Sequence, residues 1–257
     1  MKSIKLFFEE YGDKSREPLI ILHGFFASSR NWRQIAKKLA EHCHVFVLDL
    51  RNHGLSPHDP EMDYPSMVGD LKSFMDEHGL EKASILGHSM GGKVAMWLAL
   101  SNPERINKLI VADISPVSYE HSFDHTMQAL KDIPLHQISN RKQADEFLSA
   151  AIPELSYRMF LLQNLQLVDG KYQWRVDLDI FQKTAKNIIA FPKVKDSPYL
   201  ENLLFIMGEN PRYTNIEAIY NYFPNAEITV LKGANHWLHV DQPEAFLANV
   251  TRFIQMS

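Results

Sequence analysis

Ser84-Ile85-Leu86-Gly87-His88-Ser89-Met90-Gly91-Gly92 decides how the rest of this chain is read. Residues 83–86 form an apolar run of buried-strand length, and Gly87-His88-Ser89-Met90-Gly91 has the form G-x-S-x-G. A helical pattern then runs from Gly92 through Met96, Leu98 and Leu100 to Asn102 and Pro103. Strand, sharp turn and helix are the context in which this pentapeptide becomes a nucleophile elbow. The turn holds its serine in a strained backbone conformation, so only very small residues fit two positions to either side. The hydroxyl then stands clear of the sheet, and the following N–H groups point at the carbonyl it attacks. The competing reading is a glycine-rich turn with a capping serine; the flanking strand and helix favour the elbow.

Outward from the elbow, apolar runs alternate with helical patterns. Residues 2–11 alternate weakly and read as an edge strand. Residues 18–22, 44–48, 106–114, 203–207 and 226–231 read as strands, and the continuous run at 18–22 suits a strand covered on both faces. Helical patterns cover Trp32, Ile35, Leu39 and Ala40, then residues 64–78, 215–222 and 243–254, the last with proline in its first turn. This alternation predicts a mostly parallel sheet with helices on both faces, where ligands sit at the carboxyl ends of the strands. After Ser115-Pro116 the rhythm breaks. Helical patterns follow at 123–130, 141–151 and 154–165, with a hairpin around Asp169-Gly170. The expected organisation is a core of residues 1–116 and 199–257 carrying an inserted helical lid at 117–198.

The 257 residues suit one large α/β domain, or a domain with an insertion. With 45% hydrophobic and 23% charged residues the composition is that of an ordinary globular protein. A formal charge of -4 offers no basic footprint for nucleic acid. Cys43 is the only cysteine, so no intrachain disulfide forms, and it reads as a small packing side chain. The first ten residues place charges where a signal peptide needs an unbroken apolar core, and no stretch suits a membrane span. The expectation is a cytoplasmic enzyme, monomeric or a weak homodimer.

A serine hydroxyl needs a general base within reach, and the base needs an orienting carboxylate. Behind an elbow of this kind they follow in the order acid, then histidine. His236 fits the base: it lies after the last strand, in Gly233-Ala234-Asn235-His236-Trp237, before the terminal helix. A surface histidine is the plain alternative among 12 histidines, and position favours the base. His88 reads as packing under the turn, and His239 as starting the following helix. Two residues compete for the acid. Asp113 ends an apolar strand, where a carboxylate is costly unless paired. Glu209 is the only carboxylate in the loop Gly208-Glu209-Asn210-Pro211. Either one reads otherwise as a turn cap or a solvated loop residue.

The developing oxyanion needs fixed N–H donors, each worth about 3 kcal/mol. The expected donors are the amides of Met90 and of Phe25, the latter in the His23-Gly24-Phe25 turn. Asp49, Arg51, Asn52, His53 and Ser56 form a dense polar cluster. Its Asp-x-Arg pattern reads as a loop knitting two strand ends, without a catalytic role. No zinc-ligand spacing, Walker A loop or GxGxxG motif appears, so no metal or nucleotide cofactor is expected. Phe25, Phe26, Tyr119, Phe123, Met127, Met159, Phe160, Trp174 and Trp237 are candidates for an apolar acyl pocket. For those in the insertion, helical spacing fits core packing equally well.

Taken together the sequence resembles the α/β-hydrolase superfamily over essentially its whole length, and more narrowly the bacterial YbfF-type esterases. The resemblance rests on His23-Gly24-Phe25-Phe26-Ala27-Ser28, on the run from Asp49 through Arg51-Asn52-His53-Gly54-Leu55-Ser56-Pro57, on the elbow, on Asp113-Ile114-Ser115-Pro116-Val117 and on Gly233-Ala234-Asn235-His236-Trp237. It implies an α/β-hydrolase fold with an eight-stranded, mostly parallel sheet. Most members of the superfamily carry the acid after the strand that follows the lid; the YbfF-type group carries it before the lid, which supports Asp113. It further implies that Asn210 orients Asp113 by a hydrogen bond. The implied substrate is a small-molecule carboxylic ester or acyl-CoA thioester, cleaved without a cofactor. Carbon–carbon bond hydrolases and perhydrolases keep the serine and stay open as alternatives, as does a binding protein that retains the triad. Dehalogenases and epoxide hydrolases use an aspartate nucleophile, so Ser89 argues against them.

Overall fold

The computed structural model describes residues 2–193 and 197–256. In chain order the first half forms β1 (Phe8–Tyr11), β2 (Pro18–Leu22), α1 (Arg33–Leu39), β3 (His44–Leu48), α2 (Tyr64–Glu77), β4 (Ala83–His88), α3 (Met90–Ser101) and β5 (Ile106–Ala112). Between β5 and the next sheet strand lie α4 (Asp124–Lys131), α5 (Arg141–Ser149), α6 (Leu155–Leu162), β6 (Leu165–Val168), β7 (Lys171–Trp174) and α7 (Leu178–Ile189). The chain closes with β8 (Leu203–Gly208), α8 (Ile216–Tyr222), β9 (Ala226–Leu231), α9 (Leu238–Asp241) and α10 (Pro243–Gln255).

The sheet order is β1-β3-β2-β4-β5-β8-β9. Only β1 runs antiparallel, against β3; the other pairings are parallel. Each strand feeds both faces. Ile20 and Leu22 join the core under α2 and α3, whereas Leu19 and Ile21 face α1 and α10. All four are 0% exposed, which explains why residues 18–22 lack the alternation of a half-solvated strand. Buried residues of the inserted segment, among them Met127, Leu148, Leu161 and Phe181, belong to the same cluster as α2 and α3. The insertion shares that core instead of owning one.

The sheet has seven strands where eight were expected. The seven strands read from the local pattern are all there, and the eighth, implied by the resemblance alone, has no counterpart among the described residues; the strand expected over 2–11 is shorter, because only Phe8–Tyr11 pairs. Before it the backbone is held mostly by side chains. The Ile4 amide donates to Asp70 Oδ1 at 2.8 Å and the Phe7 amide to Ser56 Oγ at 2.9 Å. The hairpin is present as expected, with Asp169 and Gly170 both at positive φ (49° and 76°) in its turn. Helix α6 ends at Leu162, and Leu165 starts the hairpin. Helix α7 was not expected. Its N-cap Asp177 accepts the amides of Asp179 and Ile180, and Leu178, Phe181, Ala185 and Ile188 are buried on one side. The expected end of the insertion at 198 follows residues 194–196, which lie outside the described residues.

Candidate active site

Ser89 sits between β4 and α3 with φ 52° and ψ −117°, the strained region expected of an elbow. A Cβ on Gly87 would strike the carbonyl of Gly91, and one on Gly91 would strike the carbonyl of Leu22. The neighbouring sheet over-determines the turn. The Ser89 amide donates to the Ala112 carbonyl at 3.0 Å, and the Gly91 amide to the His23 carbonyl at 3.1 Å.

Asp113 follows β5 directly, with φ 49° and 1% exposure. Its buried carboxylate has two partners. Oδ1 accepts the Gly208 amide at 2.8 Å, and Oδ2 accepts Nδ1–H of His236 at 2.7 Å. With that hydrogen on Nδ1, the Nε2 lone pair of His236 faces Ser89 Oγ, 3.1 Å away. His236 comes from the loop between β9 and α9. Three strand ends thus bring Ser89, His236 and Asp113 into one hydrogen-bonded line. Glu209 is occupied elsewhere: exposed, it accepts the Gly233 amide at 3.0 Å. Asn210 does not take the expected part. Its Oδ1 accepts the Arg212 amide at 3.2 Å, and the bond expected from it comes from the Gly208 backbone.

Near Ser89 two backbone donors have no acceptor among the described residues. The Gly91 amide is used by His23, and the Phe26 amide donates to His53 Nε2 at 3.3 Å. Among the described residues no acceptor is present for the amides of Met90 and Phe25, the two expected oxyanion donors. Phe26 itself takes φ 63° in the turn.

Sequence reasoning missed the histidines that brace this turn. His53 Nδ1–H donates to the Arg51 carbonyl at 2.8 Å, so Nε2 is left to accept the Phe26 amide. Burial holds its pKa well below the usual value, which keeps the ring neutral and able to accept. His23 works likewise: Nδ1–H donates to the Gly24 carbonyl at 2.8 Å and Nε2 accepts the Leu50 amide at 3.0 Å. Burial also lowers its pKa. His88 packs under the elbow as expected, and its Nε2–H also donates to the His236 carbonyl at 2.7 Å. No spacing rule marks His53 or His23 for this role. The Asp49–Ser56 loop is structural as expected: Arg51 grips Asp70 through two bonds of 2.7 and 2.9 Å, both side chains fully buried. Through His53 it also reaches the candidate oxyanion turn.

The aromatic candidates divide. Phe25 and Phe26 pack on each other at 4.6 Å, and Phe123 reaches Phe25 at 4.9 Å. Phe181 of α7, not foreseen, joins at 4.6 Å from Phe25 and 5.2 Å from Phe26. Trp237 and Phe160 meet at 5.2 Å next to the His236 loop. Tyr213, also unforeseen, lies 4.3 Å from the His236 ring. Tyr119 serves a different end: its hydroxyl donates to the Tyr213 carbonyl at 2.9 Å and accepts the Ser115 amide at 3.0 Å. Met127 is fully buried in the core, and Trp174 packs against that core from β7. Met159 is 46% exposed, because the buried stripe of α6 runs through Arg158, Leu161 and Leu162 instead.

Comparison with known proteins agrees with this geometry. Residues 17–243 match the family model described as alpha/beta hydrolase fold. The mouse sn-1-specific diacylglycerol lipase ABHD11 is 38% identical over 256 residues, covering 95% of this chain and 82% of that protein. Esterase YbfF of Escherichia coli K12 is 33% identical, covering 93% of this chain and 94% of that one. A solved structure titled marine microorganism esterase superposes with TM-score 0.93 at 39% identity, over 98% of this chain and all of that one. The chain therefore belongs to the alpha/beta-hydrolase family, as a carboxylesterase-type member related to YbfF.

Proposed function

We propose that the protein hydrolyses small or medium apolar carboxylic esters through Ser89, His236 and Asp113. The observation that carries this reading is the unbroken line from Ser89 Oγ through the His236 ring to Asp113, with bonds of 3.1 and 2.7 Å. His236 Nε2 takes the Ser89 proton as Oγ attacks the ester carbonyl. The amides of Phe25 and Met90 receive the oxyanion. Collapse expels the alcohol, which leaves with the proton from His236, and an acyl-Ser89 remains. Water, deprotonated by the same ring, releases the carboxylic acid and restores the serine. Asp113 remains a carboxylate throughout and balances the transient imidazolium. Phe25, Phe26, Phe123, Phe181 and Trp237 supply apolar surface for the acyl chain, under residues 117–198 acting as a lid. The names of the relatives, a diacylglycerol lipase and an esterase, support ester chemistry.

The test is turnover on a panel of p-nitrophenyl and acyl-CoA substrates of graded chain length. Ser89→Ala removes on the order of 10⁶-fold in kcat, by analogy with the best-measured serine hydrolase. Asp113→Asn costs about 10⁴-fold, whereas Glu209→Gln stays near wild type. Undiminished turnover in Ser89→Ala, or a larger loss in Glu209→Gln than in Asp113→Asn, contradicts the assignment.

A further inference from the structure

A cleft of about 300 Å³ lies on the seam between the core and the inserted segment. Its core wall includes Glu9, Ser29, Arg30, Arg33 and Asp49; its other wall is Gln163, Asn164 and Arg175. Ser89, His236 and Asp113 do not line it. It adjoins the oxyanion turn, because Asn164 Nδ2 donates to the Phe26 carbonyl at 2.8 Å.

The charges around the cleft do not cancel. Arg33 is held bidentate by Glu9, so that pair is internally neutral. Asp49 keeps its negative charge, with one amide on each carboxylate oxygen, from Ser29 at 2.6 Å and Leu55 at 2.8 Å. The hydrogen bond from Arg33 chiefly lowers the Glu9 pKa and the charge of Arg30 adds to it, yet among the described residues neither Arg30 nor Arg175 has an ion-pair or hydrogen-bond partner for its guanidinium. Two guanidinium groups thus stand against the one Asp49 carboxylate, and the lining carries an excess of one positive charge. A second, independent observation points to the same place. Ser29 Oγ and Gln163 Nε2 are buried polar atoms without a partner, and both residues line this cleft. Gln163 is fixed in orientation, since its Oε1 accepts from Asn31 Nδ2 at 2.9 Å and leaves the NH₂ unspent. Hydroxyl, amide N–H and guanidinium are all donors. Buried donors left unpaired are costly, and a cleft that gathers them suits an acceptor-rich anion.

We propose that this seam cleft is a binding site for a phosphate-type oxyanion, held between Arg30 and Arg175 across the core–insertion boundary. The phosphate is carried either by the substrate, as in a coenzyme A thioester, or by a free phosphorylated small molecule. The inference concerns binding alone and stands apart from the ester-hydrolase reading. Binding is therefore measured in the Ser89→Ala protein, where turnover plays no part.

The experiment titrates inorganic phosphate into Ser89→Ala protein by calorimetry, with thermal unfolding in phosphate and in potassium chloride at equal ionic strength alongside. Phosphate raises the unfolding temperature above the chloride control. Affinity falls about tenfold or more when Arg30→Glu or Arg175→Ala is added, in keeping with the loss of a charged hydrogen bond. Arg30 is exposed, so its variant separates binding from folding. No phosphate-specific stabilisation, or phosphate affinity in the two arginine variants equal to that of the Ser89→Ala parent, overturns the proposal. Coenzyme A as second titrant distinguishes the sources. Affinity at least tenfold tighter than phosphate, lost with Arg30→Glu, assigns the site to a substrate-borne phosphate; coenzyme A binding no tighter than phosphate assigns it to a free ligand.

Discussion

At the residue scale the site is a set of side chains whose hydrogen bonds leave one valence open toward the substrate. Ser89 and His236 were legible in the sequence because elbow and loop bring their own context. Asp113 was legible through cost, since a carboxylate ending an apolar strand needs partners, and it has the Gly208 amide and His236. His53 was not legible, because nothing in its spacing says that its ring reaches the Phe26 amide 27 residues earlier. It gives a sharp prediction. His53→Leu leaves the Phe26 amide without its acceptor and loosens the turn that presents the Phe25 amide. The expected result is a fall in kcat of about 10–100-fold on p-nitrophenyl esters, less than outright loss of an oxyanion donor, with KM little changed. A loss confined to KM contradicts the bracing role.

At the element scale the strands were the clearest part of the sequence, because a run covered on both faces carries no polar interruptions. Helix α7 went unseen although its buried stripe, Leu178-Phe181-Ala185-Ile188, has helical spacing; it follows a hairpin in a segment without strand–helix rhythm. The carboxyl end of α7 is fastened from below. Tyr64 hydroxyl donates to the Ile188 carbonyl at 2.6 Å, and Lys93 Nζ donates to the carbonyls of Ile189 and Ala190 at 2.8 and 2.9 Å. Lys93 is 1% exposed on α3, one turn past Ser89. Burial pulls its pKa from 10.5 down to about 7. The neutral amine still has two N–H groups for its two carbonyls. The tyrosine rings facing it titrate higher, Tyr119 at about 12 and Tyr64 well above its ordinary value, so Lys93 titrates alone in that window. Between about pH 7 and 10.5 the unfolded chain binds a proton at Lys93 that the folded one does not. Stability contributed by Lys93 therefore rises with pH across this range and is lost as pH falls through 7. Urea unfolding at pH 7 and pH 9 checks this: wild type gains on Lys93→Met at the higher pH, and a pH-independent difference between the two contradicts it.

At the scale of the whole molecule strand order was not legible in the sequence, because crossovers set it and local pattern does not. The short reach of β1 likewise depends on how the chain before it is held, and side-chain acceptors on distant elements decide that. The inserted segment looked separable in sequence, yet its apolar residues complete the core under α2 and α3. Phe181 is the joint, fully buried and touching both Phe25 and Phe26. Phe181→Ala is expected to destabilise the whole chain by about 3–5 kcal/mol and to lower ester turnover with it. Denaturation followed by tryptophan fluorescence and by far-ultraviolet circular dichroism checks the coupling: the two curves coincide in one transition. Two separated transitions indicate an insertion that folds on its own.

The claim on which the account turns is that Ser89 is the group that becomes acylated. A fluorophosphonate, which reacts with an activated serine hydroxyl, tests it when the labelled protein is digested and the modified peptide is sequenced by mass spectrometry. The account predicts one stoichiometric adduct, on Ser89, with p-nitrophenyl ester turnover falling in step with labelling. An adduct on another residue, or full turnover by protein labelled at Ser89, contradicts it.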